Sequence, residues 1–480
     1  MPRIFVFGIG GTGSRVIKSL ILLMAAGVKT NGYDIVPILI DPHKDLNELK
    51  NCKKILEQYS ILHKEIYTDF TPANDAGFFH SKLISLGALG TDGLKDDFDF
   101  DSKIDETFGD FLNINHLKKE DPNKDLINLL YSDQSLKKSL SVGFKGNPNI
   151  GSVVLNQFDN ASWYKAFGSV FSQGDKIFII SSIFGGTGAS GFPLLLKNLR
   201  GHDNKYIKDA EIGALPVMPY FKLADPDGNN PHQEIDSNNF FTKTKAALSY
   251  YSKNLKDVNA LYYIGDPDAQ SNPYENDEEK QNNKAHLIEL IGASSILHFA
   301  KNTNTGKQYF SFGLEKDNSV LNFKTVGDPL KKEIMVELID YYIFSKIHPE
   351  IIKESKLPFR ITSGFDDSFY KSDFFLKLKD FNDNYFLPWL KELNDNERSF
   401  SPFNLKIGEN KFHSLVKEFE IELKGFGIFS NKYETANFTC KMGKIEKQFK
   451  RISNTKKNAK YMSMCQTAIN AVNNEILKLN

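Results

Sequence analysis

Residues 183–191 read IFGGTGASG and follow the apolar run KIFIISS. Gly185, Gly186, Gly188 and Gly191 fall within seven positions there, with Thr187 and Ser190 between them. That composition suits main-chain amides that must approach an oxyanion with no Cβ in the way. A similar run, GIGGTGS at 8–14, follows another short apolar segment, and a third, GFKGNPNIG at 143–151, precedes the helical stretch SVVLNQF. Where a helix starts just after such a loop, its unpaired N–H groups and positive dipole end face the same anion. Thr12, Ser14, Thr187 and Ser190 can add hydroxyl donors. No GK[ST] follows any of the three runs, so a phosphate held here is held without a P-loop lysine.

The loops need a sheet edge to hold them together. Residues 3–7, 34–40, 176–182, 212–220 and 260–264 are short and apolar throughout, which indicates strands covered on both faces. Helical patterns alternate with them at 14–26, 44–58 and 192–199, with Pro193 expected in the first turn of the last. A parallel α/β layer structure follows from this alternation, and its ligand site is expected at the carboxyl edge of the strands. Residues 60–140 read as a mostly helical insertion, and 281–300 as one long helix. Beyond 330 come a helix, strand-like stretches at 419–429 and 433–442, and a closing helix at about 455–479.

Bulk properties exclude some classes. At 480 residues two or three domains are expected. Lys+Arg and Asp+Glu both number 60, so no overall field steers the chain to nucleic acid or an anionic membrane. The basic cluster 450–460 reads as a solvated helix surface. Three cysteines, widely spaced and without a CxxC pair, argue against a disulfide framework or a zinc knuckle. The opening MPRIFVFG reads as a strand rather than a signal peptide, and 16–28 is too short to span a bilayer. The expectation is a cytoplasmic protein with no membrane span.

Gly8, Gly10 and Gly13 also satisfy GxGxxG, and Asp41 ends the second strand where a ribose-binding acid would sit. A Rossmann NAD-dependent enzyme is therefore a live alternative. It leaves the second loop, GGTGASG, without a task.

The three glycine elements, in this order, resemble the tubulin/FtsZ superfamily. GFKGNPNIG is similar to that family's GAGANPEVG loop at Gly143, Asn147, Pro148 and Gly151, with Ile150 for valine. FGGTGASGFP resembles the signature GGGTGTGAAP at Gly185, Gly186, Thr187, Gly188 and Pro193, departing at Phe184, Ala189 and Ser190. The resemblance covers roughly residues 1–300, and the chain looks like a divergent bacterial tubulin-like protein.

That resemblance implies a tubulin/FtsZ-like GTPase domain over 1–275, a core helix over 276–300, and a C-terminal domain over 301–480, α+β or mainly helical. GTP or GDP would lie with its phosphates on Gly185, Gly186, Thr187, Gly188, Ala189 and Ser190, with Gly10, Gly11, Thr12 and Ser14 opposite. Gly146 and Asn147 would lie by the γ-phosphate. Asp41 is implied as an outer ligand of Mg2+ through water; the other reading is a helix N-cap. Asp225, with Asp227, would meet the ribose, while Asp266 and Asn283, with Asn282 second, would meet the guanine. His286 and Glu289 are either functional or an ordinary polar pair on the helix. Head-to-tail filaments with slow GTP hydrolysis are implied, with Glu315, Asp317 and Asp328 as the acids available for catalysis. None has the family's NxDxxD spacing. The alternative is a non-polymerising GTP sensor that recruits a partner protein.

Overall fold

The computed structural model describes residues 1–43, 46–67, 77–89, 106–141, 143–144, 146–223, 240–255, 257–267, 273–274, 283–302, 306–314, 320–353, 365–406, 415–417 and 457–476. Six strands form one sheet: β1 (Arg3–Ile9), β2 (Asp34–Ile40), β3 (Lys176–Ser182), β4 (Ile212–Val217), β5 (Ala260–Gly265) and β6 (Gln308–Gly313). Their spatial order is β2-β1-β3-β4-β5-β6, and every pairing is parallel. β1, β2, β3 and β4 are buried along their length or nearly so, as strands covered by helices on both faces must be. β6 ends the sheet opposite β2 and alternates half-buried and exposed residues.

The expected α/β fold is the one observed. The helices that matter below are α1 (Gly10–Ala25), α2 (Asn47–Tyr67), α3 (Pro148–Val154), α4 (Thr187–Arg200), α5 (Phe240–Asn254) and α6 (Leu287–Lys301). The chain leaves β1 toward β2 on one side and returns to β3 on the other. The β1/β3 boundary is therefore the topological switch point, where open parallel sheets leave a crevice beyond their carboxyl ends.

Helix starts differ from expectation in instructive ways. α1 begins at Gly10 rather than Ser14, so the glycines themselves form its first turn. α4 begins at Thr187, which leaves Pro193 inside the helix rather than in its first turn. The core helix α6 begins at Leu287 rather than near 281, because His286 and Glu289 make a reciprocal capping box that fixes its start. Strand β4 ends at Val217, short of 220.

α6 is buried almost all round. Leu287, Ile288, Leu290, Ile296 and Leu297 are fully buried, each stabilising the fold by about 1.5–3 kcal/mol. A Cβ on Gly292 would come within 2.9 Å of Leu215 Cδ2 and 3.2 Å of Val16 Cγ1, so α6 lies tight between β4 and α1. Any larger side chain at 292 would push them apart.

Beyond the sheet the described residues are mainly helical: α7 (Asp328–Lys353), α8 (Asp373–Phe381), α9 (Leu387–Asn394) and α10 (Lys457–Ile476). They pack on the insertion side. Phe78 and Phe79 meet Tyr341 and Phe381, and Gln466 accepts from the Phe78 N–H at 3.1 Å. Within 60–140, α2 runs on to Tyr67, and short helices occupy Phe108–Phe111, Pro122–Leu130 and Asp133–Leu136. The strand-like stretches expected at 419–429 and 433–442 lie outside the described residues. Among the described residues no helix is long and apolar enough to cross a membrane.

Candidate functional site

Three glycine loops meet at the switch point. A Cβ on Gly10, which turns into α1 with φ +73°, would lie 3.6 Å from Thr187 Cβ and 3.7 Å from the Gly188 nitrogen. One on Gly186 would lie 3.0 Å from the Gly146 nitrogen and 3.3 Å from that of Asn147. Loops separated by 177 and by 40 residues of sequence thus come within van der Waals reach. Gly188 is also required by its own strand: a Cβ there would sit 2.7 Å from the Ser182 nitrogen, so the loop folds back flat on the end of β3.

The two long helices that begin here are left uncapped. Neither α1 nor α4 has a side-chain cap or an acid in its first turn. Some other helices are capped, with Asp121, Asn204, His286 and Ser372 each accepting from a first-turn N–H of their own helix, while α3, Ser162–Val170 and α9 are not. An uncapped N-terminus keeps its N–H groups and about half a positive charge for something else. A cleft of about 170 Å³ opens between them.

That cleft has two ends of different chemistry. One is main chain and small side chains, from Gly10, Gly11, Thr12, Gly146, Gly185, Gly186, Thr187 and Gly188. The other carries Arg15, Glu48, Asn283 and the rings of Tyr220, Phe221 and Tyr274. Arg15 organises this second end. Its Nε donates to Glu289 Oε1 at 2.5 Å, Nη1 to Glu48 Oε1 at 2.9 Å, and Nη2 to Tyr274 Oη at 2.6 Å and the Lys284 carbonyl at 2.8 Å. Tyr220 Oη donates to the same Glu289 oxygen at 2.9 Å. Burial opposes the Arg15 charge, but Glu289, Tyr274, Tyr220 and Glu48 together hold its pKa well above the ordinary range. Burial raises the Glu48 carboxyl, with Arg15 and Asn283 pulling the other way.

The expected site residues separate into groups. Gly10, Gly11, Thr12, Gly146, Gly185, Gly186, Thr187, Gly188 and Asn283 line the cleft. Ser14 and Ser190, expected as ligand donors, spend their hydroxyls inside the protein. Ser14 Oγ donates to the Gly10 carbonyl at 3.4 Å, and Ser190 Oγ to that of Gly186 at 2.7 Å. Ala189 faces a neighbouring, larger cavity of about 910 Å³ beside α3 and α5. Asn147 follows Gly146 in the loop and bonds the Phe144 carbonyl at 3.1 Å. Asp41 is buried at the end of β2, and its Oδ1 accepts from the His43 N–H at 3.0 Å. Burial, with Glu48 adding to it, pushes its carboxyl up to about 7 against the pull of that hydrogen bond.

Asp266 does not reach the cleft. It is buried at the end of β5, where Arg398 Nε donates to it at 2.9 Å and His286 Nε2 stands 3.9 Å away. His286 and Glu289 form the cap of α6, and burial pushes the imidazole down to about 3, so it stays neutral. Asp225, Asp227, Asn282, Glu315 and Asp317 lie outside the described residues. Asp328 is the first residue of α7, and its side chain lies outside the description. Among the described residues no group of three or more His, Cys, Asp or Glu side chains is placed to hold a metal ion.

Sequence reasoning missed Arg15, Glu48, Tyr220, Phe221 and Tyr274. Arg15 had a signal, since it directly follows GIGGTGS at one helical turn from Gly11. The partners that bury its charge are far away along the chain.

No family model matches this chain, and no curated protein matches it. Among solved structures, the GTPγS-form protofilament of TubZ from Bacillus thuringiensis serovar israelensis is similar over 62% of this chain, at 12% identity and a TM-score of 0.24. The matched part spans 55% of that TubZ chain, little more than half its length.

Proposed function

We propose that this chain binds a guanine nucleotide, GTP or GDP, at the β1/β3 switch point, in the manner of the tubulin/FtsZ superfamily. The carrying observation is the pair of uncapped helix starts, α1 and α4, brought together by their glycine loops over one cleft. Oriented amides and two converging dipole ends stabilise a polyphosphate without any lysine. The second glycine loop, Gly185–Gly188, weighs against the dehydrogenase alternative, which gives that loop no task.

Phosphates lie against Gly10–Thr12 and Gly185–Gly188, with Gly146 and Asn147 at the terminal phosphate; Asn283 lies at the nucleoside end. Asp225 remains the proposed ribose contact. The residues fit magnesium in a limited way, since that ion binds through one or two carboxylates plus phosphate oxygens. Asp41 would hold it through water, and the ion when bound neutralises charge on the phosphates. Copies of the chain assemble head to tail, a heterologous contact that propagates when it does not close. GTP hydrolysis in such an assembly is slow, and Glu315, Asp317 and Asp328 are the acids proposed to support it.

Mass identification of the nucleotide that co-purifies with the protein tests the binding. Recovery of GDP or GTP supports the reading, and recovery of NAD, or binding of NAD in preference to GTP, refutes it. Light scattering against protein concentration tests assembly, which should show a sharp threshold with GTP and none with GDP.

A further inference from the structure

Glu48 uses only one of its two carboxylate oxygens. Oε1 accepts from Arg15 Nη1 at 2.9 Å and from Asn283 Nδ2 at 3.3 Å. Oε2 is shut off from solvent and has no hydrogen-bond donor, although the side chain is only 10% exposed and lines the cleft. It sits beside the first turn of α1, 3.6 Å from where a Gly11 Cβ would stand. Leaving a buried acceptor unpaired is costly, and more so for a carboxylate. The side chain has little freedom to turn away, because Arg15 is itself fixed by Glu289 and Tyr274.

The chemistry of a matching ligand group follows. A carboxylate repels anions, so the ligand group that this oxygen takes is a hydrogen-bond donor rather than a phosphate oxygen. Beside it lie aromatic rings: Phe221 and Tyr274 stack on each other with ring centres 4.2 Å apart and planes 8° apart, the Arg15 guanidinium lies over Tyr274 at 4.7 Å, and Tyr220 packs edge-on to both rings. A planar base that presents hydrogen-bond donors on one edge satisfies both features. Guanine does so through N1–H and its 2-amino group, whereas adenine presents an acceptor at N1 and no 2-amino group.

We infer that Glu48 determines base specificity: its Oε2 accepts from the N1–H and 2-amino edge of guanine and rejects bases that lack those donors. The inference rests on the nucleotide reading above and assigns the discriminating role to α2, an element that the sequence motifs do not touch.

Competition binding on the full-length chain tests it, with GTP, ITP, ATP and 2′-deoxy-GTP against wild type, Glu48→Gln and Glu48→Ala. ITP lacks only the 2-amino group. Wild type should prefer GTP to ITP by about 10-fold or more, the loss expected for a hydrogen bond to a charged group. In both variants that ratio should fall to within about 3-fold, by loss of GTP affinity rather than gain of ITP affinity. Glu48→Gln keeps the shape of the side chain, so it reports even if Glu48→Ala is poorly folded. A GTP/ITP ratio unchanged in the variants overturns the inference. So does a change confined to 2′-deoxy-GTP against GTP, which would put the oxygen on the ribose. A loss shared equally by GTP and ITP that vanishes without Mg2+ would put it on a cation and overturn it as well. Wild type that binds no guanine nucleotide at all defeats the reading of the site itself, a result distinct from these.

Discussion

Thr187→Asp separates a phosphate site from a mere tight turn. Thr187 is the first residue of α4 and lines the cleft beside Gly10. In the free protein an acid there meets an uncapped helix start, an interaction that stabilises by about 0.3–1 kcal/mol. Urea unfolding of nucleotide-free protein should therefore show no loss of stability. In the complex the same carboxylate faces phosphate oxygens. At about 4 Å and an effective dielectric of about 20, one pair of unit charges repels by about 4 kcal/mol. Even half of that, after screening and relaxation, lowers affinity by roughly 30-fold. Thr187→Val is the control. It removes one hydroxyl and should cost about 0.5–1.5 kcal/mol, since main-chain amides carry most of the grip. The readout is calorimetric or fluorescence titration with GTP and GDP in buffer of moderate salt. A folded Thr187→Asp protein that binds GTP within about 3-fold of wild type would refute the claim that these helix starts hold phosphate.

Arg15→Met should destabilise the nucleotide-free protein by about 3–5 kcal/mol in urea titration, because Glu289 is left buried with tyrosine hydroxyls and the His286 N–H but no cation. Adding Glu289→Gln to Arg15→Met should recover part of that loss. Gly10→Ala should lower the unfolding free energy by about 1–2 kcal/mol through its positive φ alone, since the nearest atom to the new methyl is at an ordinary 3.6 Å. Asp41 and His286 pull the pH dependence in opposite directions. Asp41 is about 7 in the fold against about 3.9 unfolded, so its contribution is present below pH 4 and lost as pH rises to 7. His286 is about 3 against about 6.5, so its contribution is present above pH 6.5 and lost as pH falls toward 3. Asp41→Asn should therefore be more stable than wild type at pH 8 without Mg2+ or nucleotide, with the gap closing toward pH 4. A gap that stays constant with pH would show that Asp41 does not titrate in this window.

The strands were legible because burial on both faces leaves a local mark: each is apolar without alternation, and five of the six were read at nearly their true limits. The sixth, Gln308–Gly313, escaped because it is half covered and its residues are mixed, unlike β2 at the other end of the sheet, which is buried throughout. Glycine loops were legible for the same local reason, since Gly10 and Gly188 answer to constraints within a few residues of themselves. Helix starts were harder. A glycine can precede a helix or form its first turn, and composition does not distinguish the two. The nucleoside end was hardest, because what defines it is a set of contacts between distant segments: Arg15 with Glu289 spans 274 residues, and Asn283 with Glu48 spans 235.

Asp266 and Glu48 show why position in an element was an incomplete guide. Asp266 follows a strand at the correct edge of the sheet, yet it is buried against Arg398 and is not among the residues that line the cleft. Glu48 belongs to a helix with no motif, yet it lines the cleft, and Arg15 satisfies one of its oxygens and leaves the other buried without a hydrogen-bond donor. The difference lies in which acid the two arginines neutralise fully, and arginine partners separated by 33 and 132 residues leave no periodic trace. The lead-in to α6 then ties this end of the cleft to the C-terminal helices. Asn283 touches Glu48, the Ala285 N–H donates to Glu392 at 3.2 Å, and Lys284 Nζ donates to the Asp395 carbonyl at 2.9 Å. The three residues 283–285 are therefore held from both sides, by Glu48 of α2 and by Glu392 and Asp395 at α9, and the base end of the cleft is built on a segment with fixed partners rather than on a slack loop.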